Sequence, residues 1–230
     1  MARRWQMISK LKGSPLFADM SESDIENCLR CSQAEMTSYE KDEIVFHQKD
    51  EPEKLLVLVE GSVAVCNDTA SGKRSIIATF DQSGELFGEV FLFLNRTQYD
   101  NYAQAVIPAK VLQIPKAFFY QTCGNSCGYH SKLIFNMLSI LSQKAYFLNQ
   151  KVQILSCVTL RQKIAKILLK NCRPDGKVLL SMTREELADF LNTARPSLSR
   201  ELMNMRDAGL IKIQKRDIFI TDFDALQNVL

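Results

Sequence analysis

Two arginines in a serine-containing stretch offer the clearest candidate chemistry in the sequence. The stretch reads Arg195-Pro196-Ser197-Leu198-Ser199-Arg200. An arginine guanidinium presents a planar fork of donors that fits a phosphate or the edge of a guanine base, and a serine hydroxyl can donate to a phosphate. These residues could therefore contact a nucleic acid if one element of the fold exposes them together.

The residues around this stretch predict the element that would expose it, a helix-turn-helix. Thr183 can cap a helix, and Glu186 three residues later completes a capping box. Asn192 falls at the tight turn, where the chain needs a positive φ that Asn tolerates well. Pro196 suits the first turn of a second helix. That helix is expected to bury Leu198, Leu202 and Met205, which leaves Arg195, Ser197, Ser199 and Arg200 facing outward.

The C-terminal third of the chain is basic and is predicted to contain a hairpin. Residues 157–220 carry 13 Lys and Arg against seven Asp and Glu, although the whole chain has a net charge of only +3. A basic surplus suits a polyanion, because neutralised phosphates supply much of the affinity for nucleic acid, but an ordinary solvated surface explains the charge equally well. Isoleucines alternate on both sides of Lys215 and Arg216, as in a β-hairpin wing with a basic tip.

Short apolar runs separated by turn residues fill the chain from residue 39 to residue 115. Glu60-Gly61, Ser71-Gly72 and Ser83-Gly84 separate them. Evenly spaced short strands with glycine turns are typical of an all-β sandwich or jelly roll. The predicted strands are residues 44–46, 55–59, 62–66, 75–80, 103–106 and 111–114. Before them, Ser21 is predicted to cap a short amphipathic helix.

From about residue 131 to residue 155 the hydrophobic period becomes that of a coiled coil. Apolar residues recur at alternating intervals of four and three, the a/d seam along which two helices pair. An amphipathic helix lying on its own sheet is the alternative, but an unbroken 3.5-residue period favours a straight partner helix. We expect a parallel homodimer through this seam, which consists of Ile134, Leu138, Leu141, Ala145, Leu148, Val152 and Leu155.

Composition argues against several classes of protein. With 46% apolar residues, the 230-residue chain can bury a core in each of two domains, so disorder is not expected. The sequence has no run of about 18 or more uncharged apolar residues, and residues 1–12 do not form the apolar core of a signal peptide. We therefore expect a cytoplasmic protein without a membrane partner. Seven scattered cysteines fit free thiols in a reducing compartment.

Two groups of soft side chains have the spacing of metal ligands. Cys28 and Cys31 stand three residues apart, but they lie inside the predicted first helix without a third cysteine nearby, so thiols of the core are the simpler interpretation. Cys123, Cys127 and His130 could bind a metal or, through the two cysteines, form a redox pair, yet a structural zinc site needs four ligands. No metal site is predicted, and both hypotheses for this second group stay open.

Three further segments carry a family resemblance. Phe46-His47-Gln48, residues 59–65 and residues 84–89 are similar to the strands and glycine turns of the cyclic-nucleotide-binding fold. Together with the helix-turn-helix, over about residues 16–222, the chain resembles the Crp/Fnr family of bacterial regulators. The resemblance implies an α+β chain with a jelly-roll sensor, a long dimer helix and a winged helix-turn-helix. We expect a β-roll effector-sensing domain at residues 1–129, a dimerisation helix and hinge at 130–157, and a DNA-binding domain at 158–230.

The effector site departs from that of the cyclic-AMP-binding members of the family. Those members place an Arg-Ser pair on the phosphate, whereas the equivalent positions here are Tyr99 and Asp100. A carboxylate there would repel the phosphate by at least ~1 kcal/mol at contact distance even with the screening of bulk water. Leu148 replaces an adenine partner, so we expect that cyclic AMP does not bind. Arg96 could supply a positive charge, which leaves another anionic ligand open. The residues expected around an unidentified effector are Glu89, Tyr99, Asp100 and Leu148.

The resemblance also implies how the DNA contacts are divided. Arg195 and Arg200 match the base-reading arginines of the cyclic-AMP receptor, and Ser199-Arg200 matches the Ser-Arg of the oxygen-sensing members. Thr183, Arg184 and Ser197 are expected to hold phosphates. Pro196 replaces a glutamate of both, so one base pair of each half-site should differ. The expected partners are double-stranded DNA with a pseudo-palindromic operator, a second copy of the chain, RNA polymerase and an unknown small-molecule effector.

No motif in the sequence predicts an enzyme. The chain lacks a G-x-S-x-G nucleophile elbow, a phosphate-cradling glycine loop and paired histidines on a helix. We therefore predict no catalytic residue and name no cofactor. Two alternatives to an effector-responsive DNA-binding regulator remain. One is a cyclic-nucleotide-type regulatory module that does not bind DNA, and the other is a thiol- or metal-based redox sensor of the same family.

Overall fold

The chain folds as two units, Met1–Leu141 and Ser142–Leu230. A computed structural model describes residues 8–68, 74–94, 97–120, 128–180 and 182–230. Cys123, Cys127 and Arg96 lie outside the described residues, so the hypotheses that rest on them stay predictions. None of the helices in the described part of the chain is long and apolar enough to cross a membrane.

The first unit begins with helical segments that pack on a β-roll. Residues 8–11 are helical, a 3-10 turn follows at Pro15–Phe17, and helix α1 spans Glu22–Cys31. The predicted cap is confirmed, because the Ser21 side chain accepts from the Asp24 amide at 3.1 Å while the Asp24 carboxylate accepts from the Ser21 amide at 3.1 Å. Such a reciprocal box satisfies two amides that the helix itself cannot pair.

The β-roll consists of antiparallel strands, which confirms the predicted jelly-roll class. The strands are β1 Glu35–Tyr39, β2 Ile44–Phe46, β3 Lys54–Asp68, β4 Arg74–Phe80, β5 Leu86–Phe87 and β6 Tyr102–Pro115. β3 and β6 pair along much of their length, β1 and β2 pair with β6, and β4 and β5 pair with β3. Two short helices, α2 at Glu89–Phe93 and α3 at Ala117–Tyr120, also belong to this unit.

The prediction of separate strands is wrong in two places. Residues 55–59 and 62–66 both belong to β3, and residues 103–106 and 111–114 both belong to β6. The glycine at position 61 has φ of 89°, and a Cβ there would lie 2.2 Å from the carbonyl oxygen of Pro108. Register shifts around Glu60 show that both strands bend at this point and keep pairing. The predicted turn is therefore a bend shared by two continuous strands.

Three charged side chains form an ion-pair triad that stabilises the bend. The Glu60 carboxylate accepts from Lys10 and lies 2.7 Å from the Lys110 ammonium. Hydrogen bonds from Lys10 and then Lys110 lower the pKa of Glu60 from its ordinary value of 4.5 to about 2. Because the folded pKa is the lower one, the contribution of this carboxylate to stability is complete above pH 4.5 and is lost as the pH falls towards 2.

We expect Glu60→Gln to reduce the free energy of unfolding at neutral pH by less than ~1 kcal/mol, since the pairs are partly exposed and screened by solvent. The deficit should disappear between pH 4.5 and 2, where wild-type Glu60 also loses its charge. Denaturant unfolding measured across this pH range checks the prediction. Glu51→Gln, at an exposed carboxylate outside the triad, is the control, and an unchanged deficit at low pH would contradict the assignment.

Helix α4, Gly128–Leu155, spans the division between the two units. In the first unit its residues Leu133, Met137 and Ile140 are buried in the core formed by the N-terminal helices and one face of the β-roll. These three positions share one side of the helix because they are three or four residues apart. The predicted seam lies on an adjoining side of the helix, and its member Leu141 also packs against this core.

The second unit is a winged helical domain. After α4 come α5 at Leu160–Lys170, α6 at Arg184–Phe190 and α7 at Arg195–Asp207. Three short strands follow the same chain order, β7 Lys177–Val178, β8 Ile211–Gln214 and β9 Asp217–Ile220. They form a small sheet in the order β7-β9-β8, which contains the basic hairpin, and α8 follows at Phe223–Gln227. The apolar residues 178–180 suggest one strand, but the pairing with β9 ends at Val178.

Candidate DNA-binding surface and sensor pocket

The turn between α6 and α7 forms as the sequence predicts. Thr183 caps α6 by accepting from the Glu186 amide at 3.3 Å, and the Glu186 carboxylate accepts from the Thr183 amide at 2.6 Å. Asn192 has φ of 51°, the left-handed conformation that the tight turn needs. Pro196 stands in the first turn of α7, where its missing amide hydrogen costs no helical bond.

The orientation of α7 is fixed by its buried side. Leu198, Leu202 and Met205 are buried in the core of the second unit, as predicted. The Arg161 guanidinium on α5 pairs with Glu201 at 2.5 Å and so ties the flank of α7 to the helix beneath it. With one side buried, the polar side chains of α7 must project to the surface. Arg195, Ser197, Ser199 and Arg200 are all exposed.

The six residues predicted to bind DNA do not share one environment. Thr183 is exposed at the start of α6, on the same helix-turn-helix as the four exposed residues of α7. Arg184 is half-buried, and this burial lowers the pKa of its guanidinium. Its buried Nη1 has no hydrogen-bond partner among the described residues. A buried donor without a partner costs about 1–3 kcal/mol, so Arg184 is less well satisfied than the exposed arginines.

The wing presents further positive charge. Lys215 adopts φ of 55° in the turn between β8 and β9, and both Lys215 and Arg216 are exposed. Lys177 pairs with Asp217 at 3.0 Å, which neutralises the carboxylate next to the tip. The tip of the hairpin is therefore basic, as the sequence predicts.

Sequence reasoning missed how the second half of α4 packs within the second unit. Phe147 and Phe190 have ring centroids 6.1 Å apart, and the Lys151 ammonium lies 5.3 Å from the Phe190 ring. Phe190 is the last residue of α6, so these contacts join the long helix to the helix-turn-helix. No local pattern signals such a contact, because its partners are about 40 residues apart in the sequence.

The predicted seam of α4 is open to solvent in its central part. Leu138, Leu148 and Val152 are 58%, 59% and 60% exposed, and Ala145 is exposed as well. Ile134, Leu141 and Leu155 are half-buried, and Leu141 packs against the core of the first unit. Large apolar side chains repeated along one line of a helix are costly in water. The seam thus offers a surface for a second helix.

The predicted effector residues fall into two groups. Glu89 begins α2 and is 3% exposed, Tyr99 is 4% exposed, and the adjacent Asp100 is exposed. The pKa of Tyr99 is raised first by burial, then by Asp50 and then by Glu89, which places the Glu89 carboxylate near the phenol. Leu148 belongs to the second unit, where it lines a groove of about 370 Å³ with Gln143, Lys144 and Phe147.

Tyr99, one of the residues predicted to surround an effector, is packed between other aromatic rings of the β-roll. Its ring lies face to face with Phe46, with centroids 3.9 Å apart and planes 17° apart, and Phe91 meets it edge-on at 5.4 Å. Gly88, with φ of 73°, leaves room for the Phe46 and Tyr99 rings, since a Cβ there would lie 3.4 Å from each. Burial, together with Asp50 and Glu89, raises the pKa of Tyr99 to about 12. We refer to Phe46, Phe91 and Tyr99 as the aromatic stack.

The backbone around Tyr99 is also held in place. Its amide donates to the Asp50 carbonyl at 2.9 Å, and its carbonyl accepts from the Lys49 amide at 2.9 Å. Two main-chain bonds and the stacked ring hold Tyr99 in this position. Sequence reasoning named Tyr99 but missed the aromatic stack, because its members come from three separate segments.

The soft side chains in the described residues do not form a metal site. No three His, Cys, Asp or Glu side chains of this part of the chain come together as ligands. His130 is buried, stacks on Phe118 at 4.1 Å and hydrogen-bonds through Nε2 to the Phe118 carbonyl oxygen at 2.6 Å. The free cysteines in the described residues are Cys28, Cys31, Cys66, Cys157 and Cys172, of which Cys31 is exposed.

A β-roll followed by a long helix and a winged helix-turn-helix defines a sensor domain joined to a DNA-binding domain. Two protein-family models match the chain, and they do so in the same order as these two domains. The cyclic nucleotide-binding domain matches residues 36–126, and the Crp-like helix-turn-helix domain matches residues 162–229. Together the two matches cover more than half of the chain. The chain belongs to the Crp/Fnr family and is a DNA-binding transcription regulator with a sensor domain.

Curated relatives and a solved structure are similar over most of the chain. The cyclic AMP receptor protein of Thermus thermophilus is 24% identical over 219 residues, 95% of this chain and 98% of the relative. The cAMP-activated global transcriptional regulator CRP of Salmonella typhimurium is 24% identical over 196 residues, 82% and 90% of the two chains. The crystal structure of the Thermus thermophilus catabolite activator protein matches with a TM-score of 0.52 and 21% identity, covering 94% and 98%. That structure supports the fold.

Proposed function

We propose that the protein is a homodimeric, sequence-specific DNA-binding regulator whose sensor domain responds to an effector other than cyclic AMP. It would act in the cytoplasm with RNA polymerase as a partner, and its parts would follow the predicted boundaries at residues 129 and 157. The exposed polar surface of α7 carries this proposal. Its arginines and serines are held outward by a buried stripe on the opposite side of the same helix.

We assign the base contacts to Arg195 and Arg200. Both side chains are exposed near the start of α7, the end of a recognition helix that enters the major groove in helix-turn-helix proteins. Ser199 stands next to Arg200 and would support its approach to the base edges. A guanidinium can donate to both acceptors of a guanine, which identifies that base uniquely.

Phosphate contacts are assigned to Thr183, Ser197 and Arg184. The first two present exposed hydroxyl groups. Arg184 supports this role in another way, because its guanidinium is partly buried and one of its nitrogens lacks a partner in the described structure. A phosphate placed beside the guanidinium would restore the solvation that burial removes.

The aromatic stack supports the proposal that cyclic AMP is not the effector. The resemblance aligns Tyr99 with a residue that contacts the phosphate in cyclic-AMP-binding members. Its ring is buried and stacked on Phe46, and its backbone makes two hydrogen bonds. A ligand phosphate would have to displace the ring, and the stacking that would be broken is worth about 0.5–1.5 kcal/mol beyond the burial itself. The predicted effector residues Glu89 and Asp100 are acidic, so a phosphate beside them would also meet electrostatic repulsion. The curated relatives are named for cyclic AMP, so this ligand is the one to test first.

Titration calorimetry should show no saturable heat when cyclic AMP is added up to millimolar concentration. The physical reason is that binding would require the Tyr99 ring to move and would leave the phosphate without a positively charged partner. The same preparation must bind its selected DNA, so that missing heat reflects the pocket and not inactive protein. A dissociation constant in the low micromolar range would show that cyclic AMP binds despite the Tyr99 ring, and it would contradict the proposal.

Selection from a random DNA library tests the DNA-binding proposal directly. We expect enrichment of a pseudo-palindrome with half-sites about one helical turn apart, since a two-fold dimer presents its two recognition helices at that spacing. If the affinity for DNA falls steeply with salt concentration but the selection enriches no sequence, the protein binds DNA only non-specifically, through electrostatic attraction to phosphates. Failure to bind DNA at all would favour a regulatory module of the cyclic-nucleotide type.

A further inference from the structure

An apolar side chain stands next to Arg200 on the outward side of α7. Helical geometry places residues 196, 200 and 203 on one line, three or four residues apart and opposite the buried stripe. The line therefore runs through Pro196, Arg200 and Met203. Met203 is 43% exposed, although it is one of the larger apolar residues of the domain. We call this line the outer face of α7.

A single exposed methionine is ordinary on a protein surface, so exposure alone does not indicate a function. The position of Met203 beside a predicted base-reading residue is what suggests one. Met203 and Pro196 flank Arg200, the residue assigned to a guanine edge. Asp207 lies one further turn along the same line and is exposed. Its carboxylate pairs with Arg206 at 2.7 Å, so this end of the outer face carries an ion pair instead of apolar side chains.

The major groove offers one apolar feature to such a surface. Thymine carries a C5-methyl group there, whereas the other base edges present donors and acceptors. A methionine or proline pressed against those polar edges would strip them of water without replacing the hydrogen bonds. Against a thymine methyl group the same side chain buries apolar area, and the flexible thioether of Met203 can adapt to its position.

We infer that Pro196 and Met203 read thymine methyl groups at base pairs on either side of the guanine contacted by Arg200. This inference rests on the proposed function and adds the chemical feature that α7 recognises beside the guanine. Each half-site would then contain a guanine flanked by thymines on one or the other strand. Specificity at the flanking positions comes from methyl contact and not from a hydrogen bond.

Deoxyuridine substitution tests the inference, because deoxyuridine differs from thymidine only by the missing methyl group. In the selected operator, replacing a contacted thymine in one half-site should weaken binding about four-fold, and replacing it in both should weaken binding more than about ten-fold. Thymines outside the half-sites serve as the control and should tolerate the change.

Two variants then assign each methyl group to a side chain. Met203→Ala should remove the sensitivity to deoxyuridine at one position and keep it at the other, and Pro196→Gly should do the reverse. Glycine is used at position 196 because an alanine methyl group can itself contact a thymine methyl group. Met203 is exposed, so a folding defect is not expected, and each variant controls for the other. Specific binding without any deoxyuridine effect, or an effect that survives in both variants, would overturn the inference while leaving the proposed function intact. A protein that binds all sequences alike would overturn both.

Discussion

If the chain forms the proposed dimer, Leu138→Glu should yield monomers that no longer bind a palindromic site. Leu138 is 58% exposed on the seam of α4, so the substitution does not disturb the core of its own chain. In a dimer, however, two carboxylates would face each other in a buried seam. Burying such unpaired charges costs several kcal/mol, which would weaken association by more than about a hundred-fold. Sedimentation equilibrium at micromolar concentration measures the effect.

The control for this experiment is Gln153→Glu, which adds the same charge to an exposed position of α4 away from the seam. It should leave the dimer intact. Leu141 is less suitable, although it belongs to the seam, because it also packs against the core of the first unit. A wild-type protein that sediments as a monomer would contradict the proposed dimer regardless of the variants.

The features that could be predicted from sequence are those with local causes. The capping boxes at Ser21 and Thr183, the positive φ of Asn192 and the buried stripe of α7 each depend on residues within one or two helical turns. Residue type and spacing determine such features almost independently of the rest of the fold. The class of the fold followed from the same local patterns, read in order along the chain.

The features that could not be predicted depend on distant residues. The bend at Gly61 looks like the end of a strand in the sequence, because the partner strand that bends with it lies more than 40 residues away. Likewise, nothing near Tyr99 shows that Phe46 and Phe91 enclose its ring, or that Arg184 is half-buried. The roles of the candidate site residues depend on partners outside the chain, so they stay predictions.

Arg200→Ala should lower the affinity for the selected operator and remove the base preference at one position of each half-site. The guanidinium is exposed and makes no ion pair among the described residues, so its removal should leave folding unchanged. Each bidentate contact between arginine and guanine contributes about 1–3 kcal/mol of discrimination. Two half-sites double that effect, while affinity for non-specific DNA should fall only slightly. Binding-site selection with the variant measures the change in preference.

Arg184→Ala provides the contrast that separates base reading from phosphate binding. A phosphate contact attracts every sequence alike, so this variant should keep the wild-type base preference at all positions. For each phosphate that is no longer neutralised, the slope of log affinity against log salt should become shallower by about one, because fewer counterions are released on binding. If Arg200→Ala shows the salt effect and keeps its guanine preference, the two arginines have exchanged roles, and α7 does not read the base pair that we assign to it.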